Sequence, residues 1–220
     1  DLVREIRERV QQDARTAGLP DTDATAYAHT IATLLAFALD RCADFNNALC
    51  GWTPSNQKVM HLFGRQAIPM VWDFAEANLI GDSVGGWTTC VEYVADCFET
   101  TAVSQGGHAR HIDAASPWEG LEKVLISTDP PYYDNIGYAA LSDFFYVWLR
   151  RTVGDLYPEL FGTILTPKEA ELVAAPERFE GDRRRAKEHF EQGLRRVFTL
   201  LREKMDPRFP LTVYYAYKQD

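Results

Sequence analysis

The feature that most constrains the fold is an apolar run that stops at two consecutive prolines. Residues 124–128 read Val-Leu-Ile-Ser-Thr, and the next four are Asp129, Pro130, Pro131 and Tyr132. The prolines fix φ, remove two backbone donors and forbid a helix directly after the run. The pattern therefore predicts a buried strand that ends at a carboxylate, two carbonyls without a competing N–H group, and an aromatic ring.

The position of this acceptor cluster suggests a binding site. In open α/β sheets, ligands bind at the carboxyl ends of the strands. Acceptors beside a flat ring suit a planar group that carries an exocyclic amine, such as adenine. We name residues 129–132 the D-P-P-Y segment.

Hydrophobic periodicity divides the chain into a helical region, residues 1–99, and an α/β region, residues 100–220. Helical patterns cover residues 2–14, about 25–43, 55–67 with a resumption at 71–76 after Pro69, and 87–98. Strand patterns at 101–104, 123–128 and 211–218 alternate with helical patterns at 140–151 and 182–204, which is the spacing of parallel-sheet units. Because a doubly wound sheet usually needs five strands or more, we expect the chain to be an excerpt of a larger protein.

Composition narrows the class of protein. No stretch of about 18 apolar residues occurs, so we expect no membrane partner. None of the four cysteines forms a C-x-x-C pair, and the loop with His108 and His111 offers no further obvious ligand, so no zinc ribbon and no metal site is predicted. Free thiols, with Cys90 and Cys97 predicted to be buried, fit a cytoplasmic protein.

The net charge of −9 argues against a protein that holds duplex DNA by itself. Basic residues cluster only locally, as at Arg150-Arg151, residues 183–185 and Arg195-Arg196. These clusters suit a solvated helix face as well as phosphate contacts. If the substrate is DNA, we expect most phosphate contacts outside this segment.

The wider context of the D-P-P-Y segment resembles one family. S-T-D-P-P-Y-Y-D-N-I-G-Y at 127–138 continues into L-S-D-F-F-Y-V-W-L-R-R at 141–151. Together with F-G-R-Q-A-I-P-M-V-W-D-F-A-E-A-N at 63–78 and L-T-V-Y-Y-A-Y-K at 211–218, it is similar to large predicted adenine-specific DNA methylases. Some of these are associated with anti-phage loci and carry a zinc ribbon.

The resemblance implies a partial Rossmann-like sheet of a methyltransferase that uses S-adenosylmethionine, with DNA as partner. It implies that Asp129 and the Pro130 carbonyl accept hydrogen bonds from the target amine while Tyr132 stacks on the flipped base. The Gly-rich cofactor turn of the family lies in an upstream part that this chain lacks. Cofactor-binding residues therefore stay unassigned, apart from a possible contact by Asp129, and the segment alone is expected to be inactive.

Residues beyond the D-P-P-Y segment have two interpretations. The candidates for the target pocket are Tyr133, Asp134, Asn135 and Tyr138. Asp134 and Asn135 also suit a turn that caps the next helix. The rings of Phe144, Phe145, Tyr146 and Trp148 have helical spacing, which favours packing against the sheet over base stacking.

Three other functions remain open at this stage. Two are enzymes with related chemistry, an RNA guanine-N2 and a DNA cytosine-N4 methyltransferase. The third is a non-catalytic module with a methylase-like fold that binds nucleic acid or a partner subunit. Asp at the first position of the motif favours adenine, because Ser is commoner there in cytosine-N4 enzymes.

Overall fold

The computed structural model describes residues 1–68, 70–101 and 106–216. Unit 1 comprises residues 1–108 and 141–166, and unit 2 comprises residues 109–140 and 167–220. The described residues form a mixed α/β structure with five α-helices and two small sheets. The boundary predicted between residues 99 and 100 stays a prediction.

The regular elements are short strands between longer helices. In chain order they are α1 (Leu2–Thr16), α2 (Asp21–Phe45), β1 (Trp52–Thr53), β2 (Lys58–Val59), α3 (Trp87–Thr100), β3 (Ser127–Thr128), α4 (Tyr138–Val153), a 3-10 helix (Pro176–Phe179), α5 (Arg183–Lys204) and β4 (Thr212–Val213). The helices predicted at 2–14, about 25–43, 87–98, 140–151 and 182–204 are thus confirmed. Of the strand predicted at 101–104, residues 102–104 lie outside the described part.

Unit 1 is built on a row of small side chains along α2. Ala24, Ala28, Ala32 and Ala36 recur every four residues and are buried. This spacing places them on one helical face, where small side chains allow another helix to approach closely. Ala32 and Ala36 share a core cluster with Val3 of α1 and Val153 of α4.

The aromatic rings of α4 pack against loop residues of unit 1. Phe144 and Phe145 lie 5.7 Å and 5.5 Å from the Phe63 ring, between centroids. Tyr146 is buried, lies 5.3 Å from the Phe161 ring, and donates its hydroxyl hydrogen bond to the Thr163 carbonyl at 2.9 Å. The prediction that these rings pack inside the protein is confirmed. The rings contact aromatic side chains of loops, and not strands, because apolar loop side chains fill the space over this helix.

The helix predicted at 55–67 is wrong. β1 and β2 form an antiparallel hairpin here, with Thr53 opposite Lys58. The four intervening residues begin with Pro54 and end with Gln57 at φ 48°. Pro54 fixes φ at the first position of the turn, and Gln57 closes the turn in a left-handed conformation. These two residues favour a hairpin more strongly than the helical spacing of the apolar residues favours a helix.

The resumed helix at 71–76 is also wrong, since this segment has no regular secondary structure. The exposed fraction of Trp72 is 94%, and Phe74 is half-exposed. Without a buried apolar stripe, a short segment gains too little from tertiary packing to hold a helix.

In unit 2, the strand before the D-P-P-Y segment pairs in parallel with the last strand. Ser127 lies opposite Thr212 and Thr128 opposite Val213, and a further bridge joins Val124 to Met205. The predicted strands and their parallel relation are confirmed, although both are shorter than their patterns. Ile126 is buried whereas Leu125 is 67% exposed, so one face of the strand is covered in this unit and the other is open.

The four cysteines are free thiols, and three of them are buried. Burial raises the pKa of the Cys42 thiol to about 11, and the neighbouring Cys90 adds to the rise. Cys90 is buried as predicted, but Cys97 is exposed near the C-terminal end of α3. In the described part of the chain, every helix is too short or too polar to cross a membrane.

Asp40 on α2 makes the stability of the fold depend on pH. Burial raises the pKa of its carboxyl to about 7 from the usual 3.8, and its Oδ1 atom has no hydrogen-bond partner among the described residues. Between these two values the folded chain holds a proton that the unfolded chain has released. The contribution of Asp40 to stability is therefore complete below about pH 4 and is lost as the pH rises through about 7.

We expect Asp40→Asn to stabilise the protein at about pH 8, because the amide avoids a buried charge. Because Asp40 is only partly buried, solvent screening reduces the expected gain in unfolding free energy to about 1–2 kcal/mol, and this gain should vanish at about pH 4. Urea unfolding at both pH values measures this difference. Asp96→Asn on α3 removes an exposed carboxylate and should change stability by less than about 0.5 kcal/mol. An equal effect of Asp40→Asn at both pH values would contradict the assignment.

Candidate functional site

The D-P-P-Y segment folds back so that its first and last residues meet. Asp129 directly follows β3, and the Tyr132 hydroxyl donates a hydrogen bond of 2.6 Å to its Oδ1 atom. Pro130 and Pro131 between them are half-buried and restrict the backbone to this path. Among the described residues, no donor reaches Asp129 Oδ2 or the Pro130 carbonyl. Two acceptors at the strand end thus stay available to a ligand.

The hydrogen bond to Asp129 also fixes the protonation of Tyr132. It raises the pKa of the phenol above its ordinary value, and partial desolvation and the carboxylate charge act in the same direction. The hydroxyl is therefore protonated at neutral pH and acts as a donor. This bond holds the ring edge beside the carboxylate.

Tyr215 provides a second aromatic ring at the same place. It lies just beyond β4, and its ring stands 5.3 Å from that of Tyr132 at an interplanar angle of 81°. Because parallel strands end at the same edge of a sheet, the residue after β4 lies near the residues after β3. Tyr215 and its neighbour Tyr214 are 44% and 62% exposed. Neither tyrosine was among the predicted site residues, although two aromatic residues at the end of the second parallel strand are a sequence signal for such a role.

Tyr133 has a structural role that the sequence did not reveal. Its φ is 54°, a left-handed conformation that is uncommon for a non-glycine residue and costs about 1 kcal/mol or more. Its ring lies 5.3 Å from Phe190 of α5, edge to face, and its carbonyl accepts a hydrogen bond of 2.9 Å from the Ala174 amide. These contacts hold the turn that follows the D-P-P-Y segment.

The other pocket candidates lie on or just after this turn. Asp134 and Asn135 are exposed, and the Asn135 amide closes the turn on the Tyr132 carbonyl at 3.0 Å. Tyr138 is the first residue of α4, is 56% exposed, and interacts electrostatically with the Tyr132 phenol. Tyr138 thus interacts with Tyr132, whereas the Tyr133 ring packs against Phe190 of α5.

The N-terminus of α4 is capped by Glu171, a residue the sequence analysis missed. Its Oε1 atom accepts a hydrogen bond of 3.0 Å from the Ala139 amide, and Oε2 pairs with the Arg178 guanidinium. Arg178 also donates to the Lys168 carbonyl at 2.9 Å. The interpretation of Asp134 and Asn135 as a turn is confirmed, but the side-chain cap comes from Glu171. No local signal exists for it, because Glu171 lies 32 residues further along the chain.

The described residues do not fit the amino-acid part of S-adenosylmethionine. A cradle for that group needs backbone N–H donors at a Gly-rich turn after a strand. Here β3 runs into two prolines, and β4 runs into Tyr214 and Tyr215. At this strand end the described residues therefore offer hydrogen-bond acceptors and aromatic rings, and no backbone cradle for the amino-acid part of the cofactor.

Comparisons of this chain with family models, curated proteins and solved structures found no match. Two free acceptors and two half-exposed rings can bind a flat, amine-bearing base.

Proposed function

We propose that this chain is the part of a DNA adenine-N6 methyltransferase that binds the target base, in an enzyme that uses S-adenosylmethionine. The observation that carries the proposal is the turn after β3, in which Tyr132 occupies only the Oδ1 atom of the Asp129 carboxylate. Asp129 Oδ2 and the Pro130 carbonyl have no donor among the described residues, and the ordered Tyr132 ring lies beside them. The resemblance of residues 127–138 to adenine-specific methylases supports the same chemistry.

The chemical problem of such an enzyme is the weak nucleophilicity of an exocyclic amine. Its lone pair is delocalised into the base, so the nitrogen is flat and unreactive. Hydrogen bonds from the amine to Asp129 Oδ2 and to the Pro130 carbonyl would draw both hydrogens to one side and favour a tetrahedral nitrogen. These acceptors are held by the backbone before the base arrives, which makes them preorganised.

The base has to leave the helical stack before it can reach these acceptors. Tyr132 and Tyr215 offer aromatic faces or edges to it, and Tyr138 lies nearby. Stacking on an aromatic side chain is worth about 1–3 kcal/mol per base, which offsets part of the unstacking cost. Because its ring lies beside that of Tyr132, Tyr215 is added to the residues proposed to contact the target base.

We also propose that β3 and β4 belong to a larger Rossmann-like sheet. Parallel strands occur almost only where both faces of the sheet are covered. In unit 2, Leu125 and Val213 expose 67% and 41% of their surface. If further secondary structure covered Leu125 and Val213, β3 and β4 would be covered on both faces, as parallel strands usually are.

The test compares two short, labelled DNA single strands in fluorescence anisotropy. One contains adenine and the other contains purine, which lacks the amine. Because a hydrogen bond to a charged group contributes about 1.5–3 kcal/mol, we expect the protein to prefer adenine about tenfold or more. Asp129→Ala should abolish most of that preference, since it removes the carboxylate acceptor.

Tyr132→Phe is the matched control for this experiment. It keeps the ring and removes only the hydroxyl that occupies Asp129 Oδ1, so the preference for adenine should persist. Tyr132→Leu should weaken the binding of both strands alike. Equal affinity of the unaltered protein for adenine and purine would refute the proposed recognition.

A further inference from the structure

Unit 1 contains a polar cavity whose residues play no part in the proposed recognition of the target base. Its volume is about 690 Å³, within the range of small-ligand sites. It is lined by Asp1, Arg4, Leu39, Trp148, Arg150, Arg151, Thr152, Gly154 and Phe161. We name it the arginine pocket.

Two of its guanidinium groups are held in place by backbone carbonyls. Arg4 donates from Nη2 to the Arg151 carbonyl at 3.1 Å, and Arg150 donates from Nε to the Phe161 carbonyl at 3.2 Å. Each bond occupies a single N–H group, so the remaining donors can serve a ligand. An anchored guanidinium loses less rotamer freedom when it binds.

The charges of this pocket are not neutralised by ion pairs. In the described part of the chain, Arg4, Arg150 and Arg151 form no salt bridge. Asp155, close by in sequence, is instead bound by Arg7 at 2.8 Å. Three guanidinium groups and one side-chain carboxylate, that of Asp1, line the cavity, so its side-chain charge is positive although the chain carries a net charge of −9.

Trp148 adds an aromatic surface to the same cavity. Its exposed fraction is 37%, and it lies two residues before Arg150 on α4. Guanidinium groups bind phosphate oxygens in a planar, often two-point geometry. Indole rings stack on nucleobases. A phosphate beside a base is the ligand that uses both features.

We propose that the arginine pocket binds a phosphodiester group and the adjoining base of a DNA strand. The choice of DNA rests on the proposed function, whereas the phosphate chemistry rests on the pocket alone. The chain would thus hold nucleic acid through unit 1 as well as the target base through unit 2.

The test measures the affinity of the whole chain for a labelled DNA single strand over a range of salt concentrations. For Arg150→Gln/Arg151→Gln, we expect weaker binding and a smaller dependence on salt. Two lost phosphate contacts should lower the slope of log affinity against log salt by about 1.4 in magnitude. Trp148→Leu should weaken binding about tenfold and leave that slope unchanged.

Arg9→Gln/Arg15→Gln is the matched control. It removes the same charge from exposed positions on α1, where the two arginines pair with Asp13 and Asp21. If this control lowers the slope as much as the pocket variant does, the effect is general charge and the proposal fails. Circular dichroism checks that each variant is folded.

Two further outcomes would overturn the proposal. One is the absence of any binding to the DNA strand by the unaltered chain. The other is displacement of the strand by adenosine monophosphate at an equal nucleotide concentration, which would indicate a site for free nucleotides. The preference for adenine over purine separates this site from the Asp129 site, because the pocket variants should retain it while Asp129→Ala should lose it.

Discussion

Under the proposed function, replacement of Asp129 by alanine is expected to lower methyl transfer to DNA adenine by about 100-fold or more. This is the usual effect of removing one preorganised polar group that acts on the reacting atoms. The variant loses the carboxylate that follows β3 but keeps both prolines. The measurement is the amount of N6-methyladenine formed from S-adenosylmethionine by the complete natural protein, after digestion of the DNA to nucleosides.

Glu191→Ala is the control for this activity. Glu191 is an exposed residue of α5 that pairs with Lys187 at 3.6 Å, so its removal takes away one negative charge from unit 2 without touching the site. Activity should stay within about twofold, as exposed pairs contribute little to stability. Unchanged activity in Asp129→Ala would show that this carboxylate does not act on the amine.

The product of the same assay separates the competing functions. N4-methylcytosine in DNA would identify a cytosine enzyme, and methylguanine in transfer RNA would identify an RNA enzyme. If neither DNA nor RNA is methylated, and Asp129→Ala binds nucleic acid as the unaltered protein does, the non-catalytic module is the better description. Only N6-methyladenine that depends on Asp129 agrees with the proposed function.

Local covalent constraints made the strand end at Asp129 and the turn that follows it predictable. Two prolines after a β-favouring run define a strand end in any fold, and Asp129 and Tyr132 are close enough in sequence for the turn to bring them together. By contrast, Tyr215 reaches Tyr132 only because β4 lies beside β3, and Glu171 reaches α4 only through tertiary packing. Such contacts depend on the order of strands, which a single sequence does not specify.

The errors in the helical region have a different origin. Val59, Met60 and Phe63 have the spacing of a helix, yet the chain forms a hairpin around Pro54. Periodicity reports which side chains could share a face, whereas the turn decides the direction of the backbone. Where a proline-containing turn and a weak apolar pattern disagree, the turn has the larger effect because it fixes dihedral angles directly.

Truncation of Phe190 should give the largest loss of stability among these variants. Phe190 is 5% exposed on α5, and its ring contacts that of Tyr133. Phe190→Ala leaves a cavity and is expected to cost about 3–5 kcal/mol of unfolding free energy. In a chain of this length, that corresponds to a fall in Tm of about 10 °C.

The control is Phe209→Ala, since Phe209 is 45% exposed and lies in the same unit. It should cost less than about 1 kcal/mol, and a similar loss in both variants would contradict the packing role of Phe190. Hydrogen exchange gives a local readout at the Ala174 amide, which donates to the Tyr133 carbonyl. Because Phe190 holds the left-handed Tyr133 in place, its removal should speed exchange there and reduce the preference for adenine over purine. The acceptor geometry of the D-P-P-Y segment would then depend on a residue of α5 that contacts no ligand.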